Sequence, residues 1–375
     1  MGTSVAYHLA RRGVTDVVLL EREKMLGTGS TGRNAGGVRH QFSNEANIRL
    51  SIESIRLLER FADEVGHPID FHQDGYLFLL SSPAAVETFR RNVDLQRRLG
   101  VDVQWLDAAG ARRLAPGLDA AGVMAATFCA RDGIADPNGV TMGFAKAAQS
   151  AGVVIERDAE VTGIRASGGR VCAVETSRGT VETRTVVNAA GPWAGVIGRM
   201  VGADGVNVPV RPVRRHIFIA AMDGGQPAAT VPSSHIMVID FETTFYFHRE
   251  GGGVLFGMGD PSETSTFDTT VQWDFLPQVI DVAVKRLPAL ESASISHAWA
   301  GLYEMTPDGN PIIGPAGIEG FYTVAGFSGH GFQHSPAAGR ILADIVAGHD
   351  PHFDLSPFAL DRFNASRVGG ERYVI

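Results

Sequence analysis

The segment Gly27 to Gly37 places five glycines in eleven residues, interleaved with Thr28, Ser30, Thr31, Arg33 and Asn34. A stretch made of bare backbone, hydroxyls and one cation buries little of its own, and suits a loop whose amides meet phosphate oxygens. What precedes it narrows the fold. Thr3 to Arg12 sets Val5, Ala6, Leu9 and Ala10 on one helical face with Gly13 as a stop, and the apolar run Val17 to Leu20 reads as a strand buried on both faces of a parallel sheet, closed by Glu21. These are parts of a dinucleotide-binding unit, in which a glycine turn aims a helix N-terminus at a pyrophosphate and an acidic residue meets the ribose hydroxyls. Gly2 stands where the last glycine of that turn belongs, and Glu21 follows 19 positions later. The first strand and first two glycines do not precede them, so the expectation is that the chain as given opens after its true beginning.

The rest of the chain repeats the theme with interruptions. Apolar residues at Ile48, Ile52, Ile55, Leu58 and Ala62 predict one helix over 47–65, and Tyr76 to Leu80 a strand. Asp132 to Asn138 reads as a turn-rich link into a helix over 140–150, which Gly152 closes before the strand Val153 to Ile155. Thr185 to Ala190 is a further buried strand, running into Gly191-Pro192-Trp193. From about Val208 to Leu302 alternating, aromatic-rich runs predict a mixed or antiparallel sheet, and the chain closes with a strand at Phe321 to Ala325, a loop at Gly326 to Phe332 and a helix over 335–347. Parallel-sheet pieces at the beginning, middle and end, separated by sheet-like insertions, imply an α/β chain, α+β overall, with a discontinuous cofactor domain.

Composition excludes several functions. The formal charge is -8 and no run of Lys or Arg occurs, which argues against nucleic acid or an anionic membrane as partner. With only Cys129 and Cys172 there is no disulfide framework, and a cytoplasmic location is expected, both thiols lying inert in the core. No stretch reaches about 18 continuous apolar residues, so no integral membrane segment is expected. The twelve histidines form no H-E-x-x-H or Cys/His cluster with ligand spacing, so no metal is implied.

Four motifs then stand together: Gly27 to Gly37; Asn188-Ala189-Ala190-Gly191-Pro192-Trp193; Met305-Thr306-Pro307-Asp308-Gly309; and Gly326-Phe327-Ser328-Gly329-His330-Gly331-Phe332. With them the chain resembles the FAD-dependent D-amino-acid oxidase superfamily, in its sarcosine oxidase and dimethylglycine dehydrogenase branch, nearly end to end through Leu355 to Phe358 and Asp361 to Phe363. The resemblance implies a Rossmann-like FAD domain over 1–74, 135–207 and 307–375, and a substrate domain on a mostly antiparallel or mixed sheet over 75–134 and 208–306. It implies FAD contacts at Gly2, Glu21, Arg22, Ser30, Thr31, Arg33, Asn34, Ala35 and Gly36. It adds Val161, Ala190, Gly191, Trp193 and Gly301, and near the flavin ring Gly329, His330, Gly331, Phe332 and Gln333. Where relatives tether FAD through a cysteine or a loop histidine, this chain has Gly301 and Arg33, so FAD is expected to be held noncovalently.

On the substrate side the resemblance sets Arg39 as the clamp of a substrate carboxylate and Tyr303 on an active-site tyrosine of sarcosine oxidases, with Tyr246 and His248 on a strand facing the flavin. The implied reaction is hydride transfer from the carbon next to nitrogen of a small amine or N-alkylated amino acid to flavin N5, giving an imine. Alternatives are a D-amino-acid or proline dehydrogenase of the same superfamily, and a noncatalytic flavin-binding subunit or assembly factor. Leu255 stands where sarcosine oxidases carry a lysine that promotes oxygen reduction, which points to an electron acceptor other than oxygen and leaves room for a partner subunit.

Overall fold

The computed structural model describes residues 1–222, 231–364, 370, 371 and 374. Two architectures share the chain. In the first, short parallel pairs stand beside helices: Val18–Leu20 pairs with Val154–Glu156, and Val186–Asn188 pairs with Phe321–Ala325, which also meets Ile312–Pro315 antiparallel. The Gly2–Arg11 helix lies between the Pro137–Ser150 and Gly331–Val346 helices. Its Ser4 hydroxyl donates to the Ser335 carbonyl at 2.7 Å, an approach open because Gly339 carries no Cβ where Ser4 passes.

In the second, eight strands form one sheet in the order Ser294–Met305, Arg211–Ala221, Gly253–Met258, Tyr246–Glu250, Met237–Asp240, Tyr76–Leu80, Ala125–Cys129, Gln104–Leu106. Every neighbouring pair is antiparallel except Met237–Asp240 with Tyr76–Leu80. Alternation gives the sheet two different faces. Leu77, Phe218, Val238, Phe247 and Phe256 pack with Val279 and Ala283 of the Leu276–Arg286 helix in one buried cluster, each large side chain contributing about 2 kcal/mol of burial. Cross-strand partners on the other face include Tyr246, Gly257 and Ile217, and, further along, Arg215 and Gly301. That second face carries the polar and aromatic groups of the site.

The helices, strands and mixed sheet follow the periodicity of the sequence, with four departures. The helix expected over 47–65 breaks at Arg60 into Glu45–Glu59 and Phe61–Val65, because Arg60 leaves the helical region at φ −107°, ψ 12°. The strand Val18–Leu20 is not buried on both faces: Leu19 joins the cluster under the helices, whereas Val18 and its ladder partner Val154 are exposed. Within the link after Asp132, Gly133–Ala135 is a strand, held between Gly37–Val38 and Phe71–His72. The last helix begins at Gly331 and runs through Pro336, so Gly331, Phe332 and Gln333 form its first turn and His330 its cap. No helix among the described residues is long and apolar enough to cross a membrane.

Candidate active site

The glycine loop is pinned to the edge strand Ser294–Met305. Ser30 Oγ donates to the Leu302 carbonyl at 2.6 Å, Arg33 Nη1 to the Ala300 carbonyl at 2.9 Å, and Trp299 Nε1 to the Arg33 carbonyl at 3.0 Å. A Cβ on Gly301 would stand 3.1 Å from Arg33 Cβ, so glycine there lets loop and strand close on each other. Thr31–Arg33 is a single 3-10 turn, and Asn34 holds the following bend by donating to the Thr31 carbonyl and accepting from the Gly36 amide, both at 2.6 Å. Ala35 lies against the buried His248, whose Nδ1 meets the Arg249 carbonyl at 2.7 Å and whose imidazole burial brings down to about 4.

Arg39 follows directly and is buried. Its guanidinium sits 3.9 Å over the Phe42 ring, donates to the Gln41 carbonyl, and is weakened as a base by desolvation. The main chain of Arg39 is held by Gln333, which accepts from its N–H at 3.1 Å and donates to its carbonyl at 2.9 Å. Asp132 anchors the next two residues through His40 and Gln41. His40, Cys129 and Asp132 thus form a buried cluster that sequence spacing did not show; its carboxylate is taken up by these donors, and burial pushes the Cys129 thiol far up. A second group that could hold a cation, His72, Asp74 and His235, lies half-buried, its two imidazoles stacked 4.1 Å apart.

Tyr303 and Tyr246 reach the same region from the large sheet. A Cβ on Gly329, whose φ is +97°, would meet the Tyr303 ring at 2.3 Å, so the C-terminal loop rests on that ring. Tyr246 extends across Gly257, where a Cβ would lie 2.5 Å from its hydroxyl. Burial raises both phenols, keeping them neutral donors. The loop itself is fixed by Glu304, which sequence reasoning missed: its carboxylate accepts from the Gly326 amide at 3.0 Å and from Phe327, and burial pushes it up to about 7. A glutamate in a strand running Ala298, Ala300, Leu302 was the available signal. His330 is buried, its Nε2 has no partner among the described residues, and burial and the nearby His334 hold its imidazole well below the ordinary value.

Gly2 opens a helix with no side-chain cap and no acidic residue in its first turn, facing Ala189 at 3.7 Å from a hypothetical Cβ. Gly191 lies beside Glu304, and Ala190 precedes it. Glu21 is half-buried and accepts from the Glu23 amide, Arg22 stacks 4.6 Å over Trp193, and Val161 packs in the same cluster as Leu20. The side chains of Phe332 and Gln333 are committed to the protein interior and to Arg39, and their first-turn amides are what they could offer a ligand.

Groups of the kind a dinucleotide uses are present: two uncapped helix N-termini free of acidic residues, a carboxylate at a strand end, and a buried imidazole nitrogen without a partner among the described residues. A surface recess of about 800 Å³ lies elsewhere, lined by Tyr7, His8, Arg11, Arg60 and Arg340.

A family described as "FAD dependent oxidoreductase" matches residues 1–345. The mitochondrial dimethylglycine dehydrogenase of Rattus norvegicus is 29% identical over 97% of this chain, and the chain spans 44% of that protein's length. The sarcosine oxidase subunit beta of Rhizobium meliloti is 29% identical over 96% of this chain and 86% of its own. Among solved structures, the L-proline dehydrogenase of P. horikoshii superposes with a TM-score of 0.89 at 33% identity, covering 98% of this chain and 96% of that one.

Proposed function

Since the chain belongs to the family of FAD-dependent oxidoreductases, we propose that it oxidises a small amine or N-alkylated amino acid at the carbon next to nitrogen. The observation that carries this reading is the placing of a buried guanidinium, Arg39, near the neutral phenol of Tyr303 beneath the Gly329 loop, with a second neutral phenol, Tyr246, beside Tyr303. Bound FAD supplies the hydride acceptor that turns the substrate's C–N bond into an imine.

The protein's part is placement and electrostatics. Arg39, braced by Phe42 and Gln333, takes the substrate carboxylate as a planar fork. The hydroxyls of Tyr303 and Tyr246 donate to polar atoms of the substrate, and the surrounding aromatic rings exclude water. His330 offers a neutral hydrogen-bonding nitrogen, and the first-turn amides of Gly331 to Gln333 would stabilise negative charge on the bound cofactor. Gly2, Ala190 and Gly191 would hold the pyrophosphate, Glu21 the ribose, Arg22, Val161 and Trp193 the adenine end, and Ser30 to Gly36 the flavin side. Gly301 and Arg33 offer no covalent tether, so the reading has FAD bound noncovalently, over a cofactor domain of residues 1–74, 135–207 and 307–375. The free thiols Cys129 and Cys172 agree with a reducing, cytoplasmic setting.

The deciding experiment is anaerobic bleaching of the flavin band by sarcosine, dimethylglycine, proline, glycine and D-amino acids. Bleaching by a secondary or tertiary amino acid is the expected result. A protein that binds FAD and is bleached by none of them would be a noncatalytic flavin-binding subunit.

A further inference from the structure

Arg214 and Arg215 are neighbours on the Arg211–Ala221 strand, and alternation sends their side chains to opposite faces. Arg214 is met by two carboxylates, Glu263 at 2.9 Å and Asp268 at 2.8 Å. Arg215 is met by none within ion-pair distance among the described residues. Its Nη1 donates to the Arg214 carbonyl at 3.0 Å, and its Nε is buried without a hydrogen-bond partner. The guanidinium carbon stands 5.1 Å from the centre of the Tyr303 ring, the ring on which the Gly329 loop rests.

Its charge also reaches the two phenols assigned to the substrate. Tyr246 lies across Gly257 within the field of Arg215, and Tyr303 lies within the fields of both Arg215 and Arg39. Arg215 on this face of the sheet and Arg39, just after the Gly37–Val38 strand, therefore both act on Tyr303. A half-buried cation with an unsatisfied N–H is costly to keep unless something fills it, and a ligand anion supplies both the charge and the acceptor.

We propose that Arg215 is a second anion-binding residue of the substrate pocket and that the preferred substrate is a dianionic amino acid, with one carboxylate on Arg39 and another on Arg215. This rests on the reading of the pocket as an amino-acid site. The second carboxylate belongs to the side chain or to the substituent on nitrogen, and the two sources share the same chemistry.

The test is binding rather than turnover. The holoenzyme is titrated with glutarate and with butyrate, following the flavin absorbance band and, in parallel, heat of binding. Glutarate should bind at least about tenfold more tightly, and Arg215→Leu should remove that preference while Arg215→Lys keeps part of it. Equal affinities in the unaltered protein would overturn the proposal, as would a preference that survives in Arg215→Leu. An Arg215→Leu protein that folds but loses its flavin would overturn it too, by assigning Arg215 to the cofactor. Titration with iminodiacetate and with N-methylaspartate then separates the nitrogen-borne from the side-chain carboxylate. A dicarboxylate preference without bleaching by any amine leaves Arg215 in place and removes the amine-oxidation reading; bleaching without the preference does the reverse.

Discussion

Asp132 Oδ1 lies 2.6 Å from His40 Nδ1 and 2.8 Å from the His40 main-chain nitrogen, so one buried carboxylate grips the residue after Arg39 by ring and backbone alike. Its second oxygen takes Gln41 Nε2 at 3.2 Å, and the Gln41 carbonyl receives the Arg39 guanidinium. The clamp is thus fixed through a side chain 93 positions away. Asp132→Ala should take this acceptor from the buried His40 donors while Gln41 keeps the Tyr76 carbonyl, lowering stability by about 1 to 3 kcal/mol. It should also weaken carboxylate ligands more than amines lacking the group, because Arg39 loses its fixed position. Urea unfolding and ligand titration read the two effects separately; stability loss with unchanged ligand ranking would make Asp132 structural only.

Arg39 itself gives a sharper test. Arg39→Gln should reduce the catalytic efficiency for amino acids far more than for the matching amines without a carboxylate, a difference of about 2 to 5 kcal/mol when one member of a buried charge pair is lost. An equal fall for both substrate types would assign Arg39 to the fold or the cofactor.

The reduced flavin should react slowly with oxygen. Leu255 is apolar and buried, and its ladder partner His248 is neutral because burial holds its imidazole at about 4. His330 is neutral for the same reason, so neither histidine replaces the charge that stabilises superoxide. Stopped-flow mixing of reduced protein with air-saturated buffer should give reoxidation slower than turnover with a dye acceptor. If reoxidation keeps pace, Arg215 is the nearby cation to test, and Arg215→Leu should then slow it.

Acidification should destabilise the protein well above the ordinary carboxylate range. Burial lowers His8 and His334 to about 3 and His248 to about 4, from an ordinary 6.5. Below pH 6.5 the unfolded chain therefore takes up protons that the folded one refuses, and stability falls as pH drops, by about 1.4 kcal/mol per pH unit for each such group. Glu304 acts oppositely: raised to about 7 from 4.5, it keeps its proton in the fold while the unfolded chain has released it, so its contribution falls as pH rises across that window. His216 and His330 are lowered as well, and Glu21 and Glu250 are raised beside Glu304, so five histidines against three carboxylates leave a net rise in melting temperature from pH 5 to 6.5, and His334→Gln should make it shallower. A melting temperature that is flat or falling over that interval would contradict the burial of these histidines.

Periodicity and glycine placement made most of the fold legible, because they act locally: the helix after Gly2, the strands at Tyr76 and Phe321, and the antiparallel character of the 208–302 section could be read from spacing alone. Residues of the candidate site stood out where a motif is contiguous, as in the Gly27 and Gly326 loops. What escaped depends on residues far apart in sequence. Glu304 earns its role from amides 22 and 23 positions downstream, and Asp132 from a segment much earlier in the chain. Nothing in the sequence distinguishes Arg215 from its neighbour Arg214; the ladder does, by turning only Arg214 toward Glu263 and Asp268. The start of the last helix was misplaced because Pro336 reads as a boundary, whereas the helix carries it in its second turn.

Gly329 carries two separable demands. Its φ of +97° is a conformation that side chains with a Cβ rarely adopt, and a Cβ there would lie 2.3 Å from Tyr303 Cε2 and 2.6 Å from Cζ. Gly329→Ala should therefore cost about 1 to 3 kcal/mol from backbone strain, and in addition push the Tyr303 ring out of place or lift the loop from the sheet. Either movement shifts the Gly331 to Gln333 amides, so FAD affinity and the shape of the flavin absorbance band should change along with melting temperature. The double variant Gly329→Ala, Tyr303→Leu distinguishes the two causes. Shortening the ring relieves the contact but leaves φ unaltered, so stability should recover in part. Full recovery would mean that the contact alone matters, and no recovery that the backbone conformation alone does; the geometry requires a value between them.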